Sequence, residues 1–295
     1  VIDSIDLYRI FHLVAKHKNI SKAAKELFMT QSAVSQSIHK LEQELKTQLF
    51  HRTAKGVTLT SDGETLLHYV VSALNTLEVA EEKLSASKDL VSGQLRIGVG
   101  DTISRYFLLP YVEQFFASYP GIKLRILNGT TSEICQFIKD GQADIGICNL
   151  PLADTKFKVM PIMEIEDIFV CGKKYKEQLN EPLSLEEILN YPLIFLERNS
   201  NSRQYIDHFF KSRDLTPSPE IELGSHDLVL EFAKINIGIA CVTKQFALNY
   251  IDQGLVTEIE VTESIPKRHV GLIYSKYAPL THASRTFINQ FNLPL

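Results

Sequence analysis

Residues 30–42 read TQSAVSQSIHKLE, and the way this stretch divides its side chains decides the first fold element. Val34, Ile38, Leu41 and Leu45 recur at i, i+4, i+7 and i+11, an apolar stripe on a helix running from a Thr30 cap to about Leu45. Ser32, Gln36, His39 and Gln43 fall opposite, flanked by Gln31, Ser35 and Lys40. Upstream, Leu7, Ile10, Phe11 and Val14 keep helical spacing over residues 5–17. A turn at Lys18-Asn19 follows, and Ser21 is read as the N-cap of a second helix burying Ala23, Ala24 and Leu27. Downstream, LFHRTAKGVTLT gives two short extended pieces around a tip at Ala54-Lys55-Gly56.

Three helices and a hairpin make a winged helix-turn-helix. Gln can pair with adenine, Ser can donate or accept, and Lys can reach phosphate or guanine in a major groove. The helix start at Thr30, Gln31 and Ser32 suits a backbone phosphate. Arg52 and Lys55 on the wing suit phosphates or the minor groove. The expected DNA-contacting set is Ser21, Thr30, Gln31, Ser32, Ser35, Gln36, His39, Lys40, Arg52 and Lys55. The same polar face would also suit solvent or a docked protein. Charge sides with a polyanion: residues 1–60 hold nine Lys/Arg against five Asp/Glu, whereas the remainder holds 22 against 30.

Ser61 and Glu64 fit a capping box, opening a long helix to about Lys88. Leu67, Val70, Leu74, Leu77 and Leu84 form a heptad-like seam with Glu81 in one slot. At about 1.5 Å per residue such a helix spans roughly 39 Å, so the seam is expected to pair with a second copy; packing on its own body is the alternative.

After a hinge at Val91-Ser92-Gly93-Gln94, apolar strands alternate with helices, implying parallel α/β subdomains. The expected fold is multidomain, α and α/β. A DNA-binding domain spans 1–60, a linker helix 61–90 and an effector domain 91–295. Within the last, subdomain 1 covers about 94–163 plus 267–295 and subdomain 2 about 164–266.

Small polar residues cluster after the strands, where open α/β sheets hold ligands. Gly100, Thr102 and Ser104, Thr130 and Thr131, Asn149, and Arg198, Ser200, Ser202 and Arg203 are the expected effector contacts, with Arg198 or Arg203 supplying charge. Asp101 and Glu197 argue against a highly charged anion and would fit an amino group. His226, after Gly224-Ser225, is read as structural.

Composition narrows the class. The chain has 295 residues, 44% hydrophobic and 22% charged, ordinary for a soluble globular chain, without an apolar run long enough to span a membrane. The N-terminus lacks a basic n-region and cleavage site, so no export signal is expected. Cys135, Cys148, Cys171 and Cys241 sit in apolar segments without metal spacing, which fits free thiols in a reducing cytoplasm. No nucleophile elbow, P-loop, dinucleotide fingerprint or H-E-x-x-H appears, so neither an enzyme nor a cofactor or metal site is expected. A solute-binding protein would share two α/β lobes but not the helix-turn-helix.

Over essentially its whole length the chain resembles LysR-type transcriptional regulators. The carrying segments are AAKELFMTQSAVSQSIHKLEQEL, LFHRT, VTLTSDGE, GQLRIGVG, LLPYVEQFFASYPGIKL, GQADIGI and NIGIACV. It departs from the family pattern at Ser32 and Thr243, where Pro is usual, and at Lys46 and Asn236, where Gly is usual. The resemblance implies a periplasmic-binding-protein-like effector domain and a homodimer or dimer of dimers on an inverted DNA repeat. It also implies altered recruitment of RNA polymerase, and effectors that are small carboxylates, amino-acid derivatives or inorganic anions.

Overall fold

The computed structural model describes residues 4–53, 56–84, 93–179 and 181–291. The head comprises α1 (Ile5–His17), α2 (Ile20–Glu26) and α3 (Gln31–Leu45), then β1 (Phe50–Thr53) antiparallel to β2 (Gly56–Leu59). Phe11, Val14, Ala23, Val34, Ile38 and Leu41 close its core. Each large side chain so buried contributes about 1.5–3 kcal/mol over exposure to water. Thr30 caps α3 as read, accepting from the Ala33 N–H at 3.2 Å. The cap of α2 is Asn19, which accepts from the Lys22 N–H at 3.0 Å; Ser21 instead lies inside the first turn. Gly56, at φ +138°, lets the wing touch the α1 turn, since a Cβ there would sit 2.4 Å from the Lys18 carbonyl oxygen. Glu42 of α3 accepts from the Leu49 and Phe50 N–H groups, fixing the wing to the helix.

The linker helix, α4, spans Ser61–Leu84 in the described residues; positions 85–92, with the expected helix end and the first two hinge residues, lie outside them. Its start differs from the sequence reading. Thr60, not Ser61, caps it, accepting from the Gly63 N–H at 3.0 Å while donating to the Gln48 carbonyl at 2.7 Å. The seam also differs. Leu67 and Val70 are buried, and Leu74 half-buried, against the head's own core, so the alternative reading of packing on the same chain holds for them. Leu77 is exposed, and the Leu84 side chain lies outside the described atoms.

Lobe 1 opens with β3 (Gly93–Val99), α5 (Asp101–Ile103), a π-helical turn (Ser104–Leu108) and α6 (Leu109–Ser118). It continues with β4 (Ile122–Asn128), α7 (Thr131–Lys139), β5 (Ile145–Asn149) and β6 (Phe157–Ile165). Lobe 2 holds β7 (Asp167–Cys171), α8 (Lys173–Lys176), α9 (Leu185–Ile188), β8 (Leu193–Leu196), α10 (Asn201–Lys211) and β9 (Ile221–Leu223). It ends with α11 (His226–Lys234), β10 (Ile239–Thr243), α12 (Lys244–Asp252) and β11 (Thr257–Ile259), before β12 (Arg268–Ser275) and α13 (His282–Asn289) return to lobe 1.

The sheets are ordered β4-β3-β5-β12-β6 and β11-β7-β10-β8-β9. Both are mixed, correcting the parallel expectation. β12 runs antiparallel to β5 and β6, and β7 antiparallel to β10 and β11, because the chain leaves and re-enters each lobe at these strands. Two crossovers, at β6–β7 and β11–β12, thus join the lobes. Asp167 begins one incoming strand and Arg268 the other.

Candidate DNA-contacting face and effector cleft

On the head, Gln31, Ser32, Gln36, His39 and Lys40 are exposed together on α3, with Thr30 at its cap and Ser21 exposed on α2. Ser35 is half-buried beside them. The face is partly ordered: Thr30 Oγ1 and Ser32 Oγ lie 3.0 Å apart, His39 Nε2 is 3.0 Å from Gln43 Nε2, and Lys40 approaches Glu44 at 3.8 Å. So exposed an ion pair contributes little to stability. Lys55 and the Arg52 side chain lie outside the described residues.

Between the lobes lies a cavity of about 290 Å³. Gly100, Thr102, Thr130, Thr131, Asn149, Ser200 and Ser202 line it, as does His226. The N-termini of α7, α10 and α11 open onto it, so free backbone N–H groups face inward. Ser104 is not among the lining residues; it sits where the π-helical turn begins, one step beyond Ile103.

Neither arginine expected to supply charge lines the cavity. Arg203 is buried and committed, donating to Asp207 at 2.8 Å, to the Leu196 carbonyl at 2.8 Å and to Glu222 at 3.2 Å. Arg198 points into solvent, 3.5 Å from Glu222. The cation nearest the site in function is Arg268, which the sequence reading missed. It is buried at the crossover and clamps Asp167 with bonds of 2.6 and 2.8 Å. It also donates to Asn149 Oδ1 at 3.0 Å in lobe 1 and to Ser202 Oγ at 2.9 Å and Thr243 Oγ1 at 3.3 Å in lobe 2. One guanidinium therefore ties the lobes under the cavity floor.

A second tie links the two lobes. Arg105 donates to Asp227 at 2.6 Å, and the Tyr106 hydroxyl donates to the same carboxylate. Burial and the Asp227 charge push the Tyr106 phenol well above its ordinary range, so it remains a donor. Burial pushes the lining thiol of Cys148 up to about 12, which makes it a small apolar wall and not a thiolate.

Comparison with known proteins identifies this arrangement. Residues 5–64 match the family model described as "Bacterial regulatory helix-turn-helix protein, lysR family", and residues 88–292 match "LysR substrate binding domain". The chain belongs to the LysR family of transcriptional regulators. It is 26% identical over 283 residues to the HTH-type transcriptional regulator CysL of Bacillus subtilis, covering 96% of this chain and 95% of the relative. It is 28% identical over 283 residues to CfxR of Cupriavidus necator, covering 95% and 89%. A single-residue variant of full-length OxyR from Pseudomonas aeruginosa shares the fold with a TM-score of 0.79 at 18% identity, over 99% of this chain and 96% of that one. This LysR-family chain is thus a DNA-binding transcriptional regulator with an effector-binding domain, not an enzyme. No helix among its described residues is long and apolar enough to cross a membrane.

Proposed function

We propose that this regulator binds an inverted DNA repeat as a homodimer or dimer of dimers, inserting α3 into successive major grooves. A small carboxylate, amino-acid-like or inorganic anionic effector in the cleft then resets the geometry between heads and the recruitment of RNA polymerase. The observation that carries this reading is the Arg268 network, which gives Asn149 of lobe 1 and Ser202 of lobe 2 a common partner at the floor of the cavity. A ligand touching both residues favours one lobe pose, and it shifts the balance only by its differential affinity for the two poses. Heads held by paired subunits then read half-sites at a spacing set by that pose. The exposed surface of α4, with Tyr69 and Leu77 on it, is the proposed pairing surface.

The test is selection of bound duplexes from a random pool, followed by thermal-shift screening of carboxylates, amino acids and inorganic anions. Expected are an enriched inverted repeat and a compound that raises Tm and alters DNA affinity. A pool that enriches no repeat sinks the DNA reading. A stabilising compound whose effect is untouched by Thr102→Ala and Thr131→Val sinks the cleft reading.

A further inference from the structure

We propose that His226 is an effector-binding residue, that it offers an Nδ1–H donor to the cleft, and that this donor meets the carboxylate of a small, singly charged effector. The inference rests on the cleft being the effector site and adds which atom does the binding and what chemistry it selects.

His226 opens α11, is 4% exposed and lines the cavity. Its Nε2 lies 3.1 Å from the Thr243 backbone nitrogen. A backbone N–H can only donate, so Nε2 must hold a lone pair. The ring is neutral because burial lowers its pKa to about 4, outweighing the nearby Asp227 and Asp167 carboxylates. A neutral imidazole with an accepting Nε2 carries its proton on Nδ1. Position 243 can impose this because it is not Pro: the Pro usual in the family has no N–H to give. Tyr106 and Phe246 pack around the ring, with centroids 6.3 and 5.8 Å away. Nδ1 is buried and has no partner within the chain. A buried donor left unsatisfied is costly, so an acceptor brought by a ligand is bound at an advantage.

The neighbouring polar groups have the same sign. Arg268 donates to Asn149 Oδ1 and to Ser202 Oγ, so what remains to be offered to the cavity is the Asn149 Nδ2 hydrogens and the Ser202 hydroxyl hydrogen. Two lobes thereby contribute three neutral donors, two of them polarised by a cation behind them. That arrangement suits an oxyanion. The lining also sets a limit on charge: it includes the carboxylates of Asp101, Glu133 and Glu197 but no Lys or Arg among the described residues. A doubly charged phosphate or sulfate would face three like charges with no direct counter-ion, whereas one carboxylate can be held by neutral donors. The buried, unpartnered Oδ1 of Asn201 in the same lining calls for a hydroxyl or ammonium on the ligand. The volume of about 290 Å³ is at the small end of ligand sites. The effector class is a small hydroxy- or amino-monocarboxylate.

The test uses the full chain, calorimetry and thermal shift. The probes are two- to six-carbon hydroxy- and amino-monocarboxylates, their primary amides, inorganic phosphate and sulfate. His226→Gln puts an acceptor near the Nε2 position for the Thr243 N–H but removes the Nδ1 donor. His226→Asn keeps an N–H near Nδ1 and gives up the bond to Thr243. The expected result is a carboxylate that binds and whose amide does not. His226→Gln should weaken it roughly ten- to a hundredfold at unchanged Tm, and His226→Asn should hold affinity within about threefold while lowering Tm. Equal affinity in His226→Gln overturns the proposal. So does an amide that binds like its acid, a cleft that takes phosphate or sulfate in preference, or a panel with no binder. Thr131→Val separates the levels. A ligand lost in Thr131→Val but kept in His226→Gln refutes only the histidine assignment. A ligand indifferent to both refutes the cleft.

Discussion

Arg268→Met should destabilise the regulator more than any single surface change, and the structure sets the size of the effect. Met retains much of the aliphatic stem and deletes the guanidinium. Five donated bonds disappear, at 2.6 and 2.8 Å to Asp167, 3.0 Å to Asn149, 2.9 Å to Ser202 and 3.3 Å to Thr243. Asn149 and Ser202 border the cavity and can turn to water. Asp167 cannot: it is 4% exposed and keeps the Thr243 hydroxyl at 2.9 Å as its remaining side-chain donor. Removing one partner of a buried pair strands the other charge and costs about 3–5 kcal/mol. Removing both charges avoids that penalty, so Arg268→Met with Asp167→Leu should be at least ~2 kcal/mol more stable than Arg268→Met alone. The chain has no Trp, so urea unfolding is best followed by circular dichroism in the far ultraviolet, with matching m-values as the check on a shared unfolding reaction. A single-variant loss below about 1 kcal/mol, or a double variant no better than the single, would refute the clamp as a buried, desolvated pair.

The other predictions are narrower. Gln36→Ala should flatten sequence discrimination by about 1–3 kcal/mol at one base position, whereas Lys55→Ala should weaken all duplexes alike and reduce the salt slope by about one; anisotropy titrations across salt separate the two. Lys46→Gly should stabilise the head by about 0.5–1 kcal/mol, because Lys46 caps α3 at φ 54°, and an unchanged or lower Tm would contradict that. The His226 pKa is depressed on folding from 6.5 to about 4, so its stabilising contribution is complete above about pH 6.5 and is lost as pH falls through about 4. Over that window wild type should lose about 3 kcal/mol more than His226→Gln, measured by urea titration at each pH; parallel curves would refute a buried neutral ring. A bismaleimide bridge between cysteines introduced by His12→Cys and Asp140→Cys should leave the effector response of DNA binding intact, and loss of response on bridging would show that the head must undock.

What the sequence disclosed follows from how local each signal is. The α3 stripe and the Thr30 cap are decided within a few residues, and both appear in the structure as read. β6 escapes a sequence reading because Pro161 interrupts FKVMPIMEI; the structure tolerates it on an edge strand, at the irregularity facing Val270 and Gly271. The first half of the α4 seam suggests a partner because periodicity records an apolar face and not what covers it. Arg268 is invisible in sequence for a different reason: its partners Asp167, Asn149, Ser202 and Thr243 are 25 to 119 residues away. The departures from the family pattern, readable in sequence, acquire causes only in three dimensions. Asn236 takes the left-handed conformation at φ 63° that Gly would favour, and its Oδ1 accepts from the Lys174 N–H at 2.8 Å, joining the end of α11 to α8. Thr243 supplies the N–H that orients His226.

The contacts between head and body bear on how a signal leaves the cleft. His12 Nε2 of α1 lies 3.1 Å from the Asp140 carbonyl oxygen, so the ring donates to it. Burial lowers the His12 pKa and keeps the ring neutral. Ser72 of α4 donates to the Tyr277 carbonyl, and His68 packs edge-on against the Tyr277 ring. Asp140 and Tyr277 both belong to lobe 1, as do Lys139, Lys156 and Phe157, which face the same helix. Head, linker helix and lobe 1 therefore form one packed unit, and lobe 2 joins it through two crossovers and the Arg268 and Asp227 ties. A ligand that draws Ser202 and His226 toward Asn149 moves lobe 2 against that unit without having to change the contacts that orient its own head. In the proposed oligomer, rotation of the heads would be generated at a contact of lobe 2 with the second subunit, in addition to the pairing through α4. The proposed oligomer thus predicts that an isolated subunit binds effector and DNA without coupling them, which DNA titrations of a monomeric variant with and without effector would check.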